Sequence, residues 1–197
     1  LKAVTGHKGG NAFSTHVIGF EVHSSIHYQG VSAIHEGARL IQWATEQNEL
    51  NRVTTPRPLA AMFDPPYTTW HVGRVSVGTA YNITAKDCHF NMFYRAVPGD
   101  EPARLNQTYI DKVNEVKADM QAIRSEADIA LKRRFAVPPL KPEEAGEAEG
   151  LVRAITGDNA SHVVSYGTEA GQFQEAGYSA VVCGPGDIAQ AHQPNEY

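Results

Sequence analysis

Apolar and polar residues alternate along four stretches of the chain, a pattern typical of β-strands with one covered face. In the first stretch the alternation puts Ile18, Phe20 and Val22 on one side, with Val17 and Gly19 on the other. The pattern predicts strands over residues 13–23, 71–77, 87–95 and 127–135.

The third strand separates two kinds of side chain most clearly. One side should belong to the core, with Cys88, Phe90, Met92 and Tyr94. The opposite side carries His89, Asn91, Phe93 and Arg95, which gives Arg95 a strand as its platform.

Two other stretches repeat apolar residues at helical spacing. The first helix begins after Ser32, a residue type that caps helices, and should bury the stripe of Ile34, Ala38, Ile41 and Thr45, with Trp43 beside it. The second has the stripe Tyr109, Val113, Val116, Met120 and Ile123.

The order strand, helix, strand, strand, helix, strand predicts a split βαβ, ferredoxin-like domain over residues 9–138. This α/β (α+β) domain has a four-stranded antiparallel sheet with two helices on one face. The Pro- and Glu-rich stretch 137–150 then reads as an interdomain connection. A short helix near residues 147–155 and strands at 162–166 and 179–183 should follow.

Composition narrows the classes of partner. The net charge is −5 and the pI is about 6.0, so no basic excess indicates binding to nucleic acid. No apolar run approaches the roughly 20 residues that cross a bilayer, so no membrane partner is expected. Cys88 and Cys183 lie in apolar runs and are expected to be buried free thiols, which fits a cytoplasmic location. The chain begins without Met and inside a strand-like run, so we expect a piece of a longer protein.

Three constellations carry candidate chemistry. His192 follows a Gly-Pro-Gly loop and could ligate a metal, although a lone loop histidine is more often a surface residue. His23 ends a strand and could donate to a substrate carbonyl, or the following serines could simply satisfy a turn. Asn82 and Arg95 could hold a carboxylate, for which the guanidinium fork is suited, or Arg95 could be a solvated surface residue.

Taken together and in order, these constellations resemble the acetylornithine deacetylases, dinuclear-zinc amidohydrolases related to succinyl-diaminopimelate desuccinylases and carboxypeptidase G-type peptidases. The resemblance covers nearly the whole chain. Its motifs are His23-Ser24-Ser25, residues 30–34, residues 78–83, residues 93–99, Gly167-Thr168-Glu169-Ala170-Gly171, and Gly184-Pro185-Gly186 followed by His192-Gln193-Pro194-Asn195-Glu196.

The resemblance implies a role for each candidate residue. Residues 9–138 would be a dimerisation (lid) domain that forms a homodimer, and 139–197 the last part of a zinc-dependent catalytic domain. His192 would be a metal ligand, and His23 would reach the partner subunit's site and stabilise an oxyanion. Asn82 and Arg95 would hold the substrate, with Thr168 and Glu169 lining the same pocket.

The same resemblance implies two zinc ions per site, or cobalt, and removal of an acetyl group from N2-acetylornithine in arginine biosynthesis. The family's other four protein ligands and its general base lie before the first residue here. One histidine cannot hold catalytic zinc, so this chain alone is expected to be inactive.

Departures from the family pattern fall in turns, at Tyr28, Ser32, Thr84 and Ala85. Alternative substrates are N-succinyl or N-carbamoyl amino acids and dipeptides. A second interpretation is a non-catalytic dimerisation module, whose mark would be an apolar outer surface on the helix of residues 33–47.

Overall fold

The structure is a computed structural model and describes residues 1–185 and residue 188. Short 3₁₀ turns span Ser24–Gln29 and Ala60–Met62. The strands and helices are β1 (Val4–His7), β2 (Gly9–Ile18), α1 (Ala33–Val53), β3 (Thr69–Val77), β4 (Asp87–Ala96), α2 (Pro102–Ile123), β5 (Asp128–Val137), α3 (Glu147–Thr156), β6 (His162–Val164) and α4 (Ala170–Glu175).

The main sheet has four strands in the order β3-β4-β2-β5, and every neighbouring pair is antiparallel. Helices α1 and α2 pack on one face of this sheet, and no helix of the described residues packs on the other face. The predicted order of elements and the α/β fold class with a split βαβ domain are therefore confirmed.

The core between the sheet and the helices is built around aromatic side chains. The rings of Trp43 and Trp70 lie 4.9 Å apart, and Trp70 is 4.9 Å from Tyr94. Tyr109 of α2 is fully buried, and its hydroxyl lies 2.7 Å from Oγ1 of Thr15. Without this hydrogen bond, both buried hydroxyl groups would lack a partner in the core.

Strand β2 begins and ends four to five residues earlier than the sequence pattern predicted, at Gly9 and Ile18. Val17 faces the core, whereas Ile18 lies on the other side. The strand stops because Gly19 passes between two other backbones: an added Cβ would lie 2.7 Å from the carbonyl oxygen of Ala85. Phe20 then forms only a single bridge, with Val31.

The predicted core stripe of α1 is wrong, because the helix faces the sheet with the neighbouring stripe, which contains Gly37, Leu40 and Trp43. Its buried residues are Ala33, Gly37, Leu40, Trp43 and Ala44, whereas Ile34 is 40% exposed. A Cβ on Gly37 would lie 2.6 Å from Sγ of Cys88, so the helix backbone sits directly against β4. The predicted stripe of α2 is buried from Tyr109 to Met120, but Ile123 is exposed.

The segment after β5 packs on the N-terminal strand. β1 pairs in parallel with β6, and single bridges join His7 to Leu140 and Val4 to Val182. The strand predicted at 162–166 is shorter, and the strand predicted at 179–183 is reduced to a single antiparallel bridge between Val182 and Val4 of β1. Both cysteines are free, but only Cys88 is buried; Cys183 is exposed. The division at residues 138 and 139 remains a prediction.

Candidate functional site

His23 and Asn82 meet at one end of the sheet. Both lie on the loops that leave β2 and enter β4, which we call the tip (residues 20–29 and 81–86). The backbone amide of Ser24 donates to the carbonyl oxygen of Asn82 at 2.9 Å. Thr84 ties the two loops further, because its Oγ1 accepts from the amide of Val22 at 2.8 Å. His23 and Asn82 are both exposed to solvent.

The hydrogen bonds of His23 define the state of its ring. Nδ1 accepts from the backbone amide of Ser25 at 3.2 Å, so His23 itself caps the 3₁₀ turn. The Oγ of Ser25 lies 2.8 Å from the same nitrogen. A neutral imidazole whose Nδ1 accepts carries its proton on Nε2. Nε2 has no hydrogen-bond partner within residues 1–185, so its N–H group is free to donate to a ligand.

Arg95 lies at the opposite end of the sheet, where it pairs with Gly10 across the β2–β4 ladder. Its Cζ is 4.6 Å from the centroid of the Phe93 ring. A Cβ on Gly10 or Gly167 would come within 3.4 and 3.3 Å of Nη1, so both glycines leave room beside the guanidinium. Burial lowers the pKa of Arg95 below its usual range.

The guanidinium of Arg95 forms no hydrogen bond or salt bridge with any residue of the described part of the chain. A half-buried cation without a counter-ion is unfavourable, because desolvation is not offset by pairing. Its donors are therefore available to an anionic ligand, and the planar fork suits a carboxylate.

Thr168 and Glu169 lie near this second end, on the loop before α4. Oγ1 of Thr168 accepts from the amide of Ala170 at 3.1 Å, and Glu169 is exposed. Burial lowers the pKa of His7, and the charges of Arg95 and Glu169 also act on it, in opposite directions. The loop of residues 167–169 and Arg95 thus share one region, which we call the Arg95 end.

His7 and Lys8 support the Arg95 end and were missed by sequence reasoning. His7 is fully buried; its Nδ1 donates to the carbonyl of Lys8 at 3.0 Å and its Nε2 accepts from the amide of Gly171 at 3.3 Å. Nζ of Lys8 donates to the carbonyls of Pro65 and Tyr67 at 2.6 and 3.0 Å. The only sequence signal was their place directly before Gly9 and Gly10.

The tip and the Arg95 end do not meet within one chain. They occupy opposite ends of β4, and the eight residue steps from Asp87 to Arg95 span about 27 Å at the usual rise of a strand. Asn82 and Arg95 therefore cannot hold the same small molecule inside one protomer.

The residues that the structure describes do not fit a dinuclear metal centre. Within 1–185 and 188, groups of three or more potential ligands occur once, at His16, Asp87 and His89 on the open sheet face. This group offers a single carboxylate and cannot supply the ligands of two ions. His192 lies outside the described residues.

Comparison with known proteins identifies the architecture. Residues 5–121 match the family described as the peptidase dimerisation domain. The chain belongs to this family. The matching range includes the tip, the Arg95 end of β4 and most of α2, so the peptidase dimerisation domain accounts for both loops that carry His23 and Asn82.

Curated relatives match along the whole chain. Acetylornithine deacetylase of Myxococcus xanthus is 33% identical over 197 residues, and that of Edwardsiella ictaluri is 31% identical over 201 residues. Each alignment covers 100% of this chain but only 50% and 49% of the relative. The chain thus spans about half the length of the curated relatives it matches. The family resemblance stated from the sequence motifs is confirmed.

Solved structures of the same fold include a tripeptidase from Staphylococcus aureus, with a TM-score of 0.67 and 20% identity over 93% of this chain and 45% of that chain. An amidase of the hydantoinase/carbamoylase family from Burkholderia vietnamiensis has a TM-score of 0.66 and 20% identity over 90% of this chain and 40% of that one. No helix among the described residues has the length and apolar character to cross a membrane.

Proposed function

We propose that this chain is the dimerisation domain and the last part of the catalytic domain of a metal-dependent amide hydrolase. Its substrate would be N2-acetylornithine, and its reaction would release acetate and ornithine in arginine biosynthesis. The observation that carries the proposal is the half-buried guanidinium of Arg95, which lacks a counter-ion within residues 1–185. The two curated relatives named acetylornithine deacetylase support this choice of substrate.

Arg95 would bind the α-carboxylate of the N-acyl amino acid. The absence of side chains at Gly10 and Gly167 leaves space beside Nη1, and the Phe93 ring lies 4.6 Å from Cζ. Thr168 and Glu169 lie on the loop next to it and would line the same pocket. A bidentate pair in this partly desolvated place should contribute mainly to substrate binding.

His23 would act on the amide carbonyl. Its Nε2 carries the donor proton, because Nδ1 is held by the Ser25 amide. A fixed donor aimed at a developing oxyanion stabilises the transition state more than the ground state. Asn82, on the paired loop, would orient the substrate beside it.

Dimerisation would join the two ends of the site. Of the two edge strands, β5 carries the consecutive charges Lys132, Arg133 and Arg134, which oppose pairing with another sheet. β3 is exposed along most of its length and carries Val75 and Val77, which are 44% and 42% exposed. We therefore infer that β3 pairs with the β3 strand of a second copy.

The edge of β3 continues into an apolar patch on the helix side. Val75 and Val77 pair with the core-facing Phe90 and Cys88, so they point toward the α1 side of the sheet. Ile34, on the outer face of α1, reaches the end of β3: its Cδ1 is 3.4 Å from the position of a Cβ on Gly78. We call Ile34, Val75 and Val77 the edge patch.

Antiparallel pairing of two β3 strands has a direct consequence for the site. Thr69 pairs with Arg95 inside one protomer, whereas Val77 leads into the tip. A two-fold axis at the middle of β3 sets the tip of one protomer beside the Arg95 end of its partner. His23 and Asn82 of one subunit and Arg95, Thr168 and Glu169 of the other would then form one composite site.

The test is complementation between two variants of the full-length protein that each have low activity at subsaturating substrate. His23→Ala should lower kcat by about 100-fold or more, as loss of an oxyanion donor does, and Arg95→Ala should mainly raise KM. Mixed and allowed to exchange subunits, the two should recover about a quarter of wild-type activity, since half of the dimers are mixed and each has one intact site. The double variant mixed with itself is the control. No recovery in the mixture would contradict a shared site.

The metal ligand is tested separately. His192→Ala in the full-length protein should lower bound zinc and abolish hydrolysis of N2-acetylornithine, whereas the 197-residue chain alone should show no hydrolysis. Activity in the 197-residue chain, or full activity in His192→Ala, would contradict these assignments.

Two alternatives remain as outcomes of the same assays. Turnover of N-succinyl or N-carbamoyl amino acids or of dipeptides, without turnover of N2-acetylornithine, would change the substrate. The exposed edge patch also favours a second function, a non-catalytic dimerisation module. A full-length protein that forms dimers but hydrolyses no N-acyl amino acid would support the module.

A further inference from the structure

Three side chains with metal-binding atoms meet on the face of the sheet opposite α1 and α2. Nε2 of His16 lies 2.6 Å from Oδ1 of Asp87, and the rings of His16 and His89 stack at 3.9 Å between centroids with an interplanar angle of 21°. A nitrogen or oxygen from each of the three residues lies within 4.8 Å of the others. None of the three has a role in the proposed hydrolysis.

The strand register explains why these residues converge. His16 and His89 are direct partners across the antiparallel β2–β4 ladder, so their side chains leave the sheet on the same face. Asp87 precedes His89 by two residues and therefore shares that face. Ala130 of β5 and Ser76 of β3 are the outer neighbours in this row, and both are small and uncharged.

We propose that His16, Asp87 and His89 bind a divalent transition-metal ion of the zinc class. Two imidazole nitrogens and one carboxylate oxygen are ligands that Zn²⁺ accepts, with water or another group at the remaining position. Ligand atoms around tetrahedral zinc are about 3.4 Å apart at bond lengths of roughly 2.1 Å. Rotation of these partly exposed side chains would widen the 2.6 Å contact between His16 and Asp87 to that value.

Metal entry changes the hydrogen bond that now joins two of the ligands. Without a metal ion, Nε2 of His16 carries a proton and donates it in a hydrogen bond to the Asp87 carboxylate. In the bound state each gives a lone pair to the ion, and the proton moves to Nδ1 of His16 or to solvent. The cation also neutralises the Asp87 carboxylate, which has no lysine or arginine partner within residues 1–185.

The location gives the site a structural consequence. Asp87 is the first residue of β4. The backbone carbonyl of the preceding Lys86 accepts a hydrogen bond from the amide of Gly19 at 2.6 Å. Beyond this point, the segment after β2 and the segment before β4 form the tip. An ion that joins β2 to β4 at this point would fix the base of the tip. Its binding does not depend on the proposed hydrolysis and is measured without substrate.

The experiment is calorimetric titration of the full chain with Zn²⁺, with His89→Ala and Asp87→Asn as test variants. His71→Ala is the matched control, because His71 is exposed on the same face of the sheet but outside the cluster. Wild type and His71→Ala should bind one more equivalent of Zn²⁺ than the test variants, or bind it at least about tenfold more tightly. Zn²⁺ should also raise the unfolding temperature of these two proteins only.

Circular dichroism establishes that each variant is folded. If His89→Ala does not fold, Asp87→Asn decides, because it keeps the size of the side chain and removes only the charge. Co²⁺ provides a second readout, since its visible spectrum should appear in wild type and be lost in Asp87→Asn. Equal Zn²⁺ binding in all four proteins, or no binding in wild type, would overturn the proposal.

Discussion

Lys8 is a fully buried lysine held by two backbone carbonyls rather than by a carboxylate. Its ammonium donates to the oxygens of Pro65 and Tyr67 and so ties the start of β2 to the loop before β3. Burial lowers the pKa of Lys8 to about 8 from 10.5, because desolvation outweighs the attraction of Asp64. The charged form is thus less favourable in the folded protein than in the unfolded chain.

This shift predicts a pH dependence of stability with a definite sign. Below pH 8 both states keep the proton, and the full desolvation penalty is present. Between pH 8 and 10.5 the folded protein loses the proton first, so the unfolded state binds more protons and the free energy of unfolding rises with pH. Relative to Lys8→Met, wild type should gain up to about 3 kcal/mol across this window, at about 1.4 kcal/mol per pKa unit.

Urea unfolding across this pH range measures the difference between wild type and Lys8→Met. Lys2→Met is the control, because Lys2 is exposed and its replacement should leave the pH dependence of wild type. A constant difference between wild type and Lys8→Met from pH 8 to 10.5 would contradict the shifted pKa.

At the scale of elements, the contact between α1 and β4 depends on the absence of one side chain. Gly37→Ala should destabilise the protein by about 1–3 kcal/mol, because the new methyl group would lie 2.6 Å from Sγ of Cys88. Adding Cys88→Ala should recover part of this loss in a double-mutant cycle. Chemical denaturation measures all four proteins.

Gly150 is the matched control for this prediction. It also lies inside a helix, α3, but a Cβ there would meet nothing within 4 Å. Gly150→Ala should therefore stabilise by about 0.5–1 kcal/mol, the usual gain in helix propensity. If Gly37→Ala stabilised to the same extent, the close approach of α1 to β4 would be wrong.

The exposed edge of β3 leads to a prediction about assembly. Val75→Lys puts a charge in the middle of the edge patch and should convert a dimer to a monomer without unfolding it, because Val75 is 44% exposed. Ala136→Lys on the opposite edge strand, β5, should leave the dimer intact. Sedimentation velocity distinguishes the two, and a dimer that survives Val75→Lys but not Ala136→Lys would assign the interface to β5.

The same elements show what the sequence could and could not predict. The order of strands and helices followed from periodicity alone, because apolar residues alternate along the strands and recur at helical spacing along the helices. The ends of β2 did not, because Gly9 and Gly10 carry no alternation while Phe20 and Val22 continue it beyond Gly19. For α1 two neighbouring stripes both carry apolar residues, and the absence of a side chain at Gly37 lets the stripe with Leu40 and Trp43 approach β4.

The candidate site was predictable as residues but not as geometry. Motifs pointed to His23, Asn82 and Arg95, and the structure pairs the first two at the tip while placing Arg95 at the other end of β4. That separation follows from the register of the sheet, which one sequence does not contain. The burial of His7 and Lys8 depends on the packing of α4 and the loop at residues 64–67, so no local pattern could indicate it.

At the scale of the whole molecule, the C-terminal segment carries apolar side chains that nothing in the described structure covers. Leu151 and Ile155 lie on one side of α3 and are 63% and 74% exposed. Phe173 and Tyr178 are 59% and 66% exposed. The chain spans about half the length of its curated relatives, so we expect the remaining half of a full-length protein to cover these residues.

The double substitution Leu151→Ser and Ile155→Ser should therefore improve the solution behaviour of the 197-residue chain but lower the stability of the full-length protein. In the 197-residue chain it should reduce binding of a hydrophobic dye and self-association, because it removes an exposed apolar pair. In the full-length protein it should destabilise by about 2–5 kcal/mol, because buried leucine and isoleucine would be replaced by small polar groups. Dye fluorescence and thermal unfolding measure the two effects, and a full-length protein as stable as wild type would mean that α3 stays exposed.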